Sequence, residues 1–151
     1  VNEPTTVFSA CFGAPFLPLH PGRYADMLGD RLEAHGTQVW LVNTGWTGGP
    51  HGVGHRMALR DTRSLLTAVL NGSMDNVGYT RCERFGWDVP LAAPNVDSAL
   101  LSPRSTWQDQ GAFDTQAEAL VQRFNANFVQ FEAGVSEEVR KASPAPLEAV
   151  S

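Results

Sequence analysis

Five glycines within the twelve residues 43–54 constrain the fold more than any other feature of this chain. Glycine adopts positive φ without steric cost and lets a ligand approach the backbone closely. The preceding run, QVWLV at residues 38–42, is apolar, β-branched and aromatic, which predicts a buried strand. After the loop, a helix is predicted over 62–71, with Asp61 as its N-cap and Gly72 as its terminator. A strand, a ligand-accessible loop and a helix are therefore expected in direct succession.

Two further helices are predicted from the spacing of apolar residues. The first covers residues 22–35, where apolar positions recur at helical intervals, and it ends at Gly36. The second covers residues 115–131, with Asp114 as its N-cap. Its broad apolar face includes three phenylalanines, so this helix must pack against something sizeable.

The remaining stretches are predicted to be irregular or short. Residues 8–19 are apolar and small but broken by glycine and prolines, which indicates a packed loop. A brief strand is predicted at 56–59, and one or two more near 85–89. The connection over 73–114 is otherwise irregular, and so long a connection is rare in a compact domain, which indicates that it lies over another part of a larger body. Residues 132–151 are expected to form a frayed helix and tail.

Composition sets the broad class of the protein. The 151 residues are 42% hydrophobic and 18% charged, as expected for one soluble globular domain. The net charge is −5 and there is no basic tract, so a nucleic-acid partner is not expected. No apolar run is long enough for a membrane span, and no secretory signal is present, so a cytoplasmic location is expected. Cys11 and Cys82 predict two free thiols, with a single disulfide as the alternative.

Known phosphate and metal patterns fit the glycine loop poorly. The spacing GPHGVGHR at residues 49–56 approaches a P-loop, but His55 and Arg56 stand where the motif needs Lys and Ser or Thr. His51 and His55 could share a metal ion, yet they lie in a glycine-rich loop with no acidic or thiol ligand near in sequence. Cys11 with His20 could form a nucleophile pair, although a buried structural cysteine is the more common case. No metal or catalytic residue is therefore assigned.

The residues directly after the loop offer a different chemistry. Arg56 carries a planar cation that can lie on a purine face, Met57 offers an apolar contact, and Thr62 offers a hydroxyl for a ring nitrogen or amino group. Together they could bind adenine. From spacing alone, the alternative is that Arg56 and Arg60 are solvated charges at a strand end and that Thr62 only begins a helix.

Seven stretches of the chain also resemble one enzyme family in order. They are FSACFGAPF at 8–16, LVNTGW at 41–46, GVGHR at 52–56, DTR at 61–63, FGWDVP at 85–90, PRSTW at 103–107 and NANF at 125–128. In this order and with these intervals, they resemble the carboxy-terminal part of the ATP-dependent phosphoenolpyruvate carboxykinases. The resemblance covers nearly the whole chain.

The resemblance implies an α/β fold. The chain would be the terminal part of a mononucleotide-binding domain, incomplete by itself, with residues 1–151 forming one segment. Members of this family convert oxaloacetate and ATP to phosphoenolpyruvate, CO2 and ADP, a gluconeogenic step that uses Mg²⁺-nucleotide and a second divalent ion, usually Mn²⁺. The family's phosphate loop, metal ligands and oxaloacetate-binding arginines lie upstream of the matched part. The segment alone is therefore expected to be inactive, and the remainder of the enzyme is an expected partner.

The resemblance also assigns the nucleotide base. The family positions that line the adenine site match Arg56, Met57 and Thr62, the residues that the side-chain chemistry singles out. Two positions depart from the family pattern: His55 replaces a common Lys, and His51 replaces a frequent Tyr. The chain starts at Val rather than Met, so a fragment of a longer enzyme is expected. The alternative is a non-catalytic nucleotide-binding module or a structural fragment without activity.

Overall fold

The computed structural model describes residues 7–10 and 12–145 of the chain. Helices dominate, and two small antiparallel hairpins connect them, in agreement with the predicted α/β class. The helices are α1 (Pro21–His35), α2 (Leu59–Leu70), α3 (Pro103–Thr106), α4 (Gln110–Phe128) and α5 (Glu137–Lys141), and the strands are β1 (Trp46–Thr47), β2 (His55–Arg56), β3 (Tyr79–Arg81) and β4 (Asp88–Pro90). Short 3-10 helices cover Ala14–Phe16, Ser98–Leu101 and Val129–Gly134. None of the helices within the described ranges is both long and apolar enough to cross a membrane.

Helix α1 confirms the prediction for residues 22–35. It begins after His20, whose ring nitrogen accepts a hydrogen bond from the Gly22 amide at 3.2 Å. It ends at Gly36, which adopts φ of 58° and so closes the helix in the left-handed conformation that glycine tolerates best. The first turn packs on the 3-10 helix Val129–Gly134, where a Cβ on Gly22 would lie 2.7 Å from the Gly134 carbonyl oxygen. Glycine at position 22 therefore permits this close contact.

The strand predicted over residues 38–42 is absent. These residues make no ladder hydrogen bonds, and Leu41 is 75% exposed. The apolar run is suited to a strand covered on both faces, but a strand forms only where a neighbouring strand pairs with its backbone. Among the described residues no neighbour does so.

The short strand predicted near 85–89 corresponds to β4, which pairs with β3 in a hairpin that places Thr80 opposite Val89. The brief strand predicted at 56–59 is reduced to His55–Arg56, because α2 already begins at Leu59.

Both predicted aspartate N-caps are wrong. Helix α2 is capped at Ala58, whose carbonyl oxygen already accepts from the Asp61 and Thr62 amides, so Asp61 lies in the first helical turn. Helix α4 is capped by Asp109, which accepts from the Ala112 amide at 3.0 Å. Helix α2 begins three residues before its predicted start, and α4 begins five residues before its own. The apolar pattern does not mark these starts, because the N-cap depends on the backbone turn and not on an apolar residue beside it. Helix α4 also ends at Phe128 and not at the predicted residue 131, and the 3-10 helix Val129–Gly134 follows it directly.

Asp114 serves α4 as an ion-pair partner and not as a cap. The Arg104 guanidinium donates to both of its oxygens, at 3.0 Å from Nε and 2.9 Å from Nη2. The buried Arg84 lies 3.5 Å from Asp114 and 3.1 Å from Glu118. The hydrogen bond from Arg104 lowers the pKa of Asp114 below its usual range, and the same bond raises the pKa of Arg104. This cluster fixes α3 and the segment before β4 against α4.

The buried apolar core of the described chain is small. Ala68 of α2, Met74 of the following turn, and Ala117 and Val121 of α4 are its buried members. Many large apolar side chains remain exposed, on residues 12–16, on residues 39–42 and on α2. The packed loop predicted over residues 8–19 is therefore wrong in its packing, because no described residue covers Phe12 or Phe16. So much exposed apolar surface is typical of a segment that other structure normally covers.

Candidate functional site

The glycine loop forms the turn of the β1–β2 hairpin. Trp46 pairs with Arg56 and Thr47 with His55, so the loop lies over residues 48–54. Gly48, Gly49 and Gly52 adopt positive φ values of 76°, 150° and 88°. A Cβ on Gly54 would clash with the carbonyl oxygens of Gly49 and Thr47. The predicted positive φ is therefore confirmed at Gly48, Gly49 and Gly52, whereas Gly54 is needed for close backbone packing and the approach of a ligand stays a prediction.

The loop is tied to a distant part of the chain through Thr106 of α3. The Thr106 hydroxyl oxygen accepts from the Gly48 amide at 3.1 Å and from the Thr47 hydroxyl at 3.2 Å. Its own proton goes to the Pro103 carbonyl oxygen at 2.7 Å. One side chain thereby holds the start of the loop against α3.

A cleft of about 450 Å³ opens beside β2 and the first turn of α2. Arg56 and Met57 both line it. Thr62 directly follows the lining residue Asp61 in the first turn of α2, is half-buried, and does not line the cleft. The complete lining is Thr47, His55, Arg56, Met57, Ala58, Arg60, Asp61, Asn95, Asp97 and Leu100.

Backbone contacts fix the residues that follow the loop. The Met57 amide donates to the Gly45 carbonyl oxygen at 3.0 Å, which extends the hairpin by one pair beyond β2. The Arg56 guanidinium carbon lies 6.0 Å from the centre of the Trp46 ring, within cation–π range. His51 meets the same ring edge-to-face at 5.4 Å. Arg56 is therefore already placed against an aromatic plane.

Charge in the cleft is mixed. Asp61 is buried at the start of α2, and Arg60 lies 3.3 Å from its carboxylate. A carboxylate in the first helical turn is favoured by the helix dipole. Two cations, Arg56 and Arg60, and two carboxylates, Asp61 and Asp97, thus line the same cleft. This balance suits a ligand with both hydrogen-bond donors and acceptors better than a simple anion.

Sequence reasoning missed the far wall of the cleft, formed by residues 94–101. Asn95 adopts φ of 58°, and Asp97 caps the following 3-10 helix by accepting from the Ala99 amide at 3.0 Å. Leu100 completes this wall. The only local signal was the turn-forming sequence Pro-Asn-Val-Asp, which indicates a turn but not its place in the fold.

The alternative chemistries gain no geometric support from the described residues. Across residues 7–10 and 12–145, no three His, Cys, Asp or Glu side chains are grouped to hold a metal ion. His20 caps α1 and packs edge-to-face on Phe131 at 5.9 Å. Cys82 is a free thiol, as predicted, whereas Cys11 lies outside the described residues. His55 points its ring towards Gly48 within the loop.

Comparison with known proteins gives one consistent family. A family model for phosphoenolpyruvate carboxykinase matches residues 1–99. A phosphoenolpyruvate carboxykinase (ATP) of Thermus thermophilus is 55% identical over 144 residues, which are 95% of this chain and 27% of that protein. The enzyme of the same name from Rhodopseudomonas palustris is also 55% identical over 144 residues, with the same coverage. That of Ruegeria pomeroyi is 53% identical over 140 residues, 93% of this chain and 26% of that protein.

The chain spans about 27% of the length of the curated relatives that it matches, so its α/β body is incomplete relative to theirs. The similarity runs through nearly all of the chain, including the glycine loop and the cleft beside it. This confirms the resemblance carried by the seven ordered motifs. The chain belongs to the family of ATP-dependent phosphoenolpyruvate carboxykinases.

Proposed function

We propose that this chain supplies the adenine-binding part of the ATP site of a phosphoenolpyruvate carboxykinase, with Arg56, Met57 and Thr62 contacting the base. The observation that carries the proposal is that Arg56 and Met57 line one cleft of about 450 Å³ at the foot of the glycine loop. This volume falls in the range of small-ligand pockets. Thr62 stands on the helix that forms the wall of the same cleft.

Each residue has a distinct task in this site. The Arg56 guanidinium lies near an aromatic plane at Trp46, and a purine between or beside them would gain stacking and cation–π attraction. Met57 is half-buried and offers a polarisable apolar surface to the edge of the base. Thr62 can reach the base only if its side chain turns towards the cleft, so its contact depends on a small adjustment of the first turn of α2.

The chain is further proposed to be the carboxy-terminal segment of the nucleotide-binding domain, with residues 132–151 as its terminal helix and tail. The exposed apolar side chains of residues 39–42 and α2 support this, because the remainder of such an enzyme would cover them. The unpaired run at 38–42 would then gain a neighbouring strand. The remainder of the enzyme is therefore the proposed partner of this chain.

The parent enzyme would convert oxaloacetate and ATP to phosphoenolpyruvate, CO2 and ADP. Mg²⁺-nucleotide and a second divalent ion such as Mn²⁺ would supply charge stabilisation for the enolate and the transferred phosphoryl group. The described residues contain no group of side chains fit to hold these ions. The family resemblance implies that the metal ligands and the oxaloacetate-binding arginines lie upstream of the matched part, so we assign both tasks to the remainder of the enzyme and base binding to this chain.

Isothermal titration calorimetry with ADP tests the proposal. The double variant Arg56→Ala, Thr62→Ala should bind ADP about tenfold more weakly than the unmodified chain, or weaker still, because it loses a cation–π contact and a hydrogen bond. The matched control is Arg31→Ala, Thr80→Ala, which removes the same side-chain types from α1 and β3, outside the lining of the cleft. The control should keep the original affinity.

Two results would count against the proposal. If the unmodified chain binds no ADP, the segment is a structural fragment without a working base site. If the Arg56→Ala, Thr62→Ala variant keeps the affinity of the unmodified chain, the nucleotide binds elsewhere. The same preparation, given oxaloacetate, ATP, Mg²⁺ and Mn²⁺, should show no turnover, because the groups that perform the chemistry are assigned to the rest of the enzyme.

A further inference from the structure

The geometry points to Thr106 as a positioning residue for the nucleotide site, one that fixes the glycine loop without touching the ligand; this inference rests on the proposed function. The Thr106 hydroxyl makes the three hydrogen bonds that a hydroxyl can make when saturated, two accepted and one donated. It accepts from Gly48 and Thr47 and donates to Pro103. The two accepted bonds join residues 58 and 59 positions apart in the sequence.

Helix α3, which carries Thr106, is held to α4 by side-chain contacts. Thr106 lies at the end of α3, a four-residue helix that starts with Pro103. Arg104 of the same helix forms a bidentate pair with Asp114 of α4, at 3.0 and 2.9 Å, and donates to Gln110 at 2.6 Å. The next residue, Trp107, packs edge-to-face on a phenylalanine of α4 at 5.5 Å. The hydroxyl is thus presented from a helix that is itself fixed to the longest helix of the chain.

Thr106 binds the first residue of the glycine loop, Gly48, and the residue before it, Thr47, which lines the cleft. Thr47 is only 7% exposed, lines the cleft, and pairs with His55 in the hairpin. Gly48, the next residue, has φ of 76°, and its amide points to Thr106 instead of to a strand partner. Without the hydroxyl, this half-buried amide and the Thr47 hydroxyl would both lose their partner. The hairpin would then be free to shift, and Arg56, the partner of Trp46, would shift with it.

The test uses Thr106→Val, which keeps the shape of the side chain but removes the hydroxyl, and Thr106→Ser, which keeps the hydroxyl. Thr115→Val is the matched control, because the Thr115 hydroxyl makes a single local bond to Gly111 within α4. The readouts are hydrogen exchange at the Gly48 amide and ADP affinity by calorimetry. In Thr106→Val, Gly48 exchange should accelerate about five- to tenfold and ADP affinity should fall by a similar factor. Thr106→Ser should restore both, and Thr115→Val should change neither.

The two readouts separate this inference from the proposed function. If the unmodified chain binds ADP and Thr106→Val binds it equally well, the positioning role is overturned while the nucleotide site stands. A Gly48 amide that exchanges freely in the unmodified chain, or a Thr106→Ser variant that behaves like Thr106→Val, also overturns it. If Gly48 protection depends on Thr106 but the unmodified chain binds no ADP, the nucleotide site is refuted and Thr106 is only a structural anchor.

Discussion

Replacing Met74 by alanine should destabilise the chain far more than the same replacement at Met27. Met74 lies in the turn after α2 and is 1% exposed, whereas Met27 lies on α1 and is 53% exposed. The two variants delete the same atoms from a buried and a half-exposed position. The difference between them therefore measures burial and not the chemistry of methionine.

The magnitude follows from the atoms removed. Truncation of methionine to alanine deletes three heavy atoms, and at about 0.8 kcal/mol for each buried methylene-sized group the transfer cost is about 2.4 kcal/mol. A residual cavity at Met74 adds to this, for a total of about 3 kcal/mol. At Met27 the transfer cost is about half as large, and the higher helix propensity of alanine offsets part of it, which leaves under about 1 kcal/mol. The hydrogen bond from the Tyr79 hydroxyl to the Met74 carbonyl oxygen, at 2.7 Å, is available in both variants.

Urea unfolding followed by circular dichroism measures both free energies of unfolding. Met74→Ala should lower the midpoint with little change in the denaturant slope, and thermal unfolding should shift down by roughly 6–12 °C. Met27→Ala should stay within a few degrees of the unmodified chain. Equal losses in the two variants would show that Met74 is not buried as described.

Two further predictions concern the ion cluster and the loop. Because the Arg104 hydrogen bond lowers the pKa of Asp114 in the folded chain, its contribution to stability is present above the ordinary carboxyl pKa of about 3.9 and is lost as pH falls through the lowered value. Asp114→Asn should therefore lower the melting temperature at pH 7 but not in strong acid; a pH-independent difference would contradict this. Gly54→Ala should disrupt the hairpin, since its Cβ would clash with the Thr47 carbonyl oxygen, whereas Gly29→Ala, with open space in α1, should be neutral or stabilising by up to about 1 kcal/mol. Circular dichroism melts of the two glycine variants check this, and equal stabilities would contradict it.

Local signals predicted the local structure well. The helix predicted over 22–35 starts one residue earlier, at Pro21, and ends as predicted before Gly36, because Pro21 and Gly36 act through their own backbone geometry and need no distant partner. The positive φ angles in the glycine loop were foreseeable for the same reason. Helix positions with an apolar stripe were also found, although their starts were misplaced. An apolar pattern indicates only the buried face of a helix. The N-caps Ala58 and Asp109 precede the apolar stripe in sequence, so the pattern does not locate them.

Features that depend on distant partners could not be predicted in this way. The run at 38–42 has the composition of a strand, but its hydrogen-bonding partner is not among the described residues. In the candidate site, Arg56 and Met57 could be proposed together because they are neighbours in sequence. Asn95 and Asp97 join them only through the fold, and Thr106 reaches the loop across 58 positions. No periodicity or short motif carries such contacts.

Titration of the ¹⁵N-labelled chain with ADP, followed by amide chemical shifts, tests most directly whether this segment binds the nucleotide base. If the base lies in the cleft beside the glycine loop, the largest shifts should fall on residues 55–62 and on the facing wall at 95–100. They should be absent from the Arg56→Ala, Thr62→Ala variant. Shifts confined to another part of the chain, or no saturable shift at all, would show that this cleft is not the adenine site.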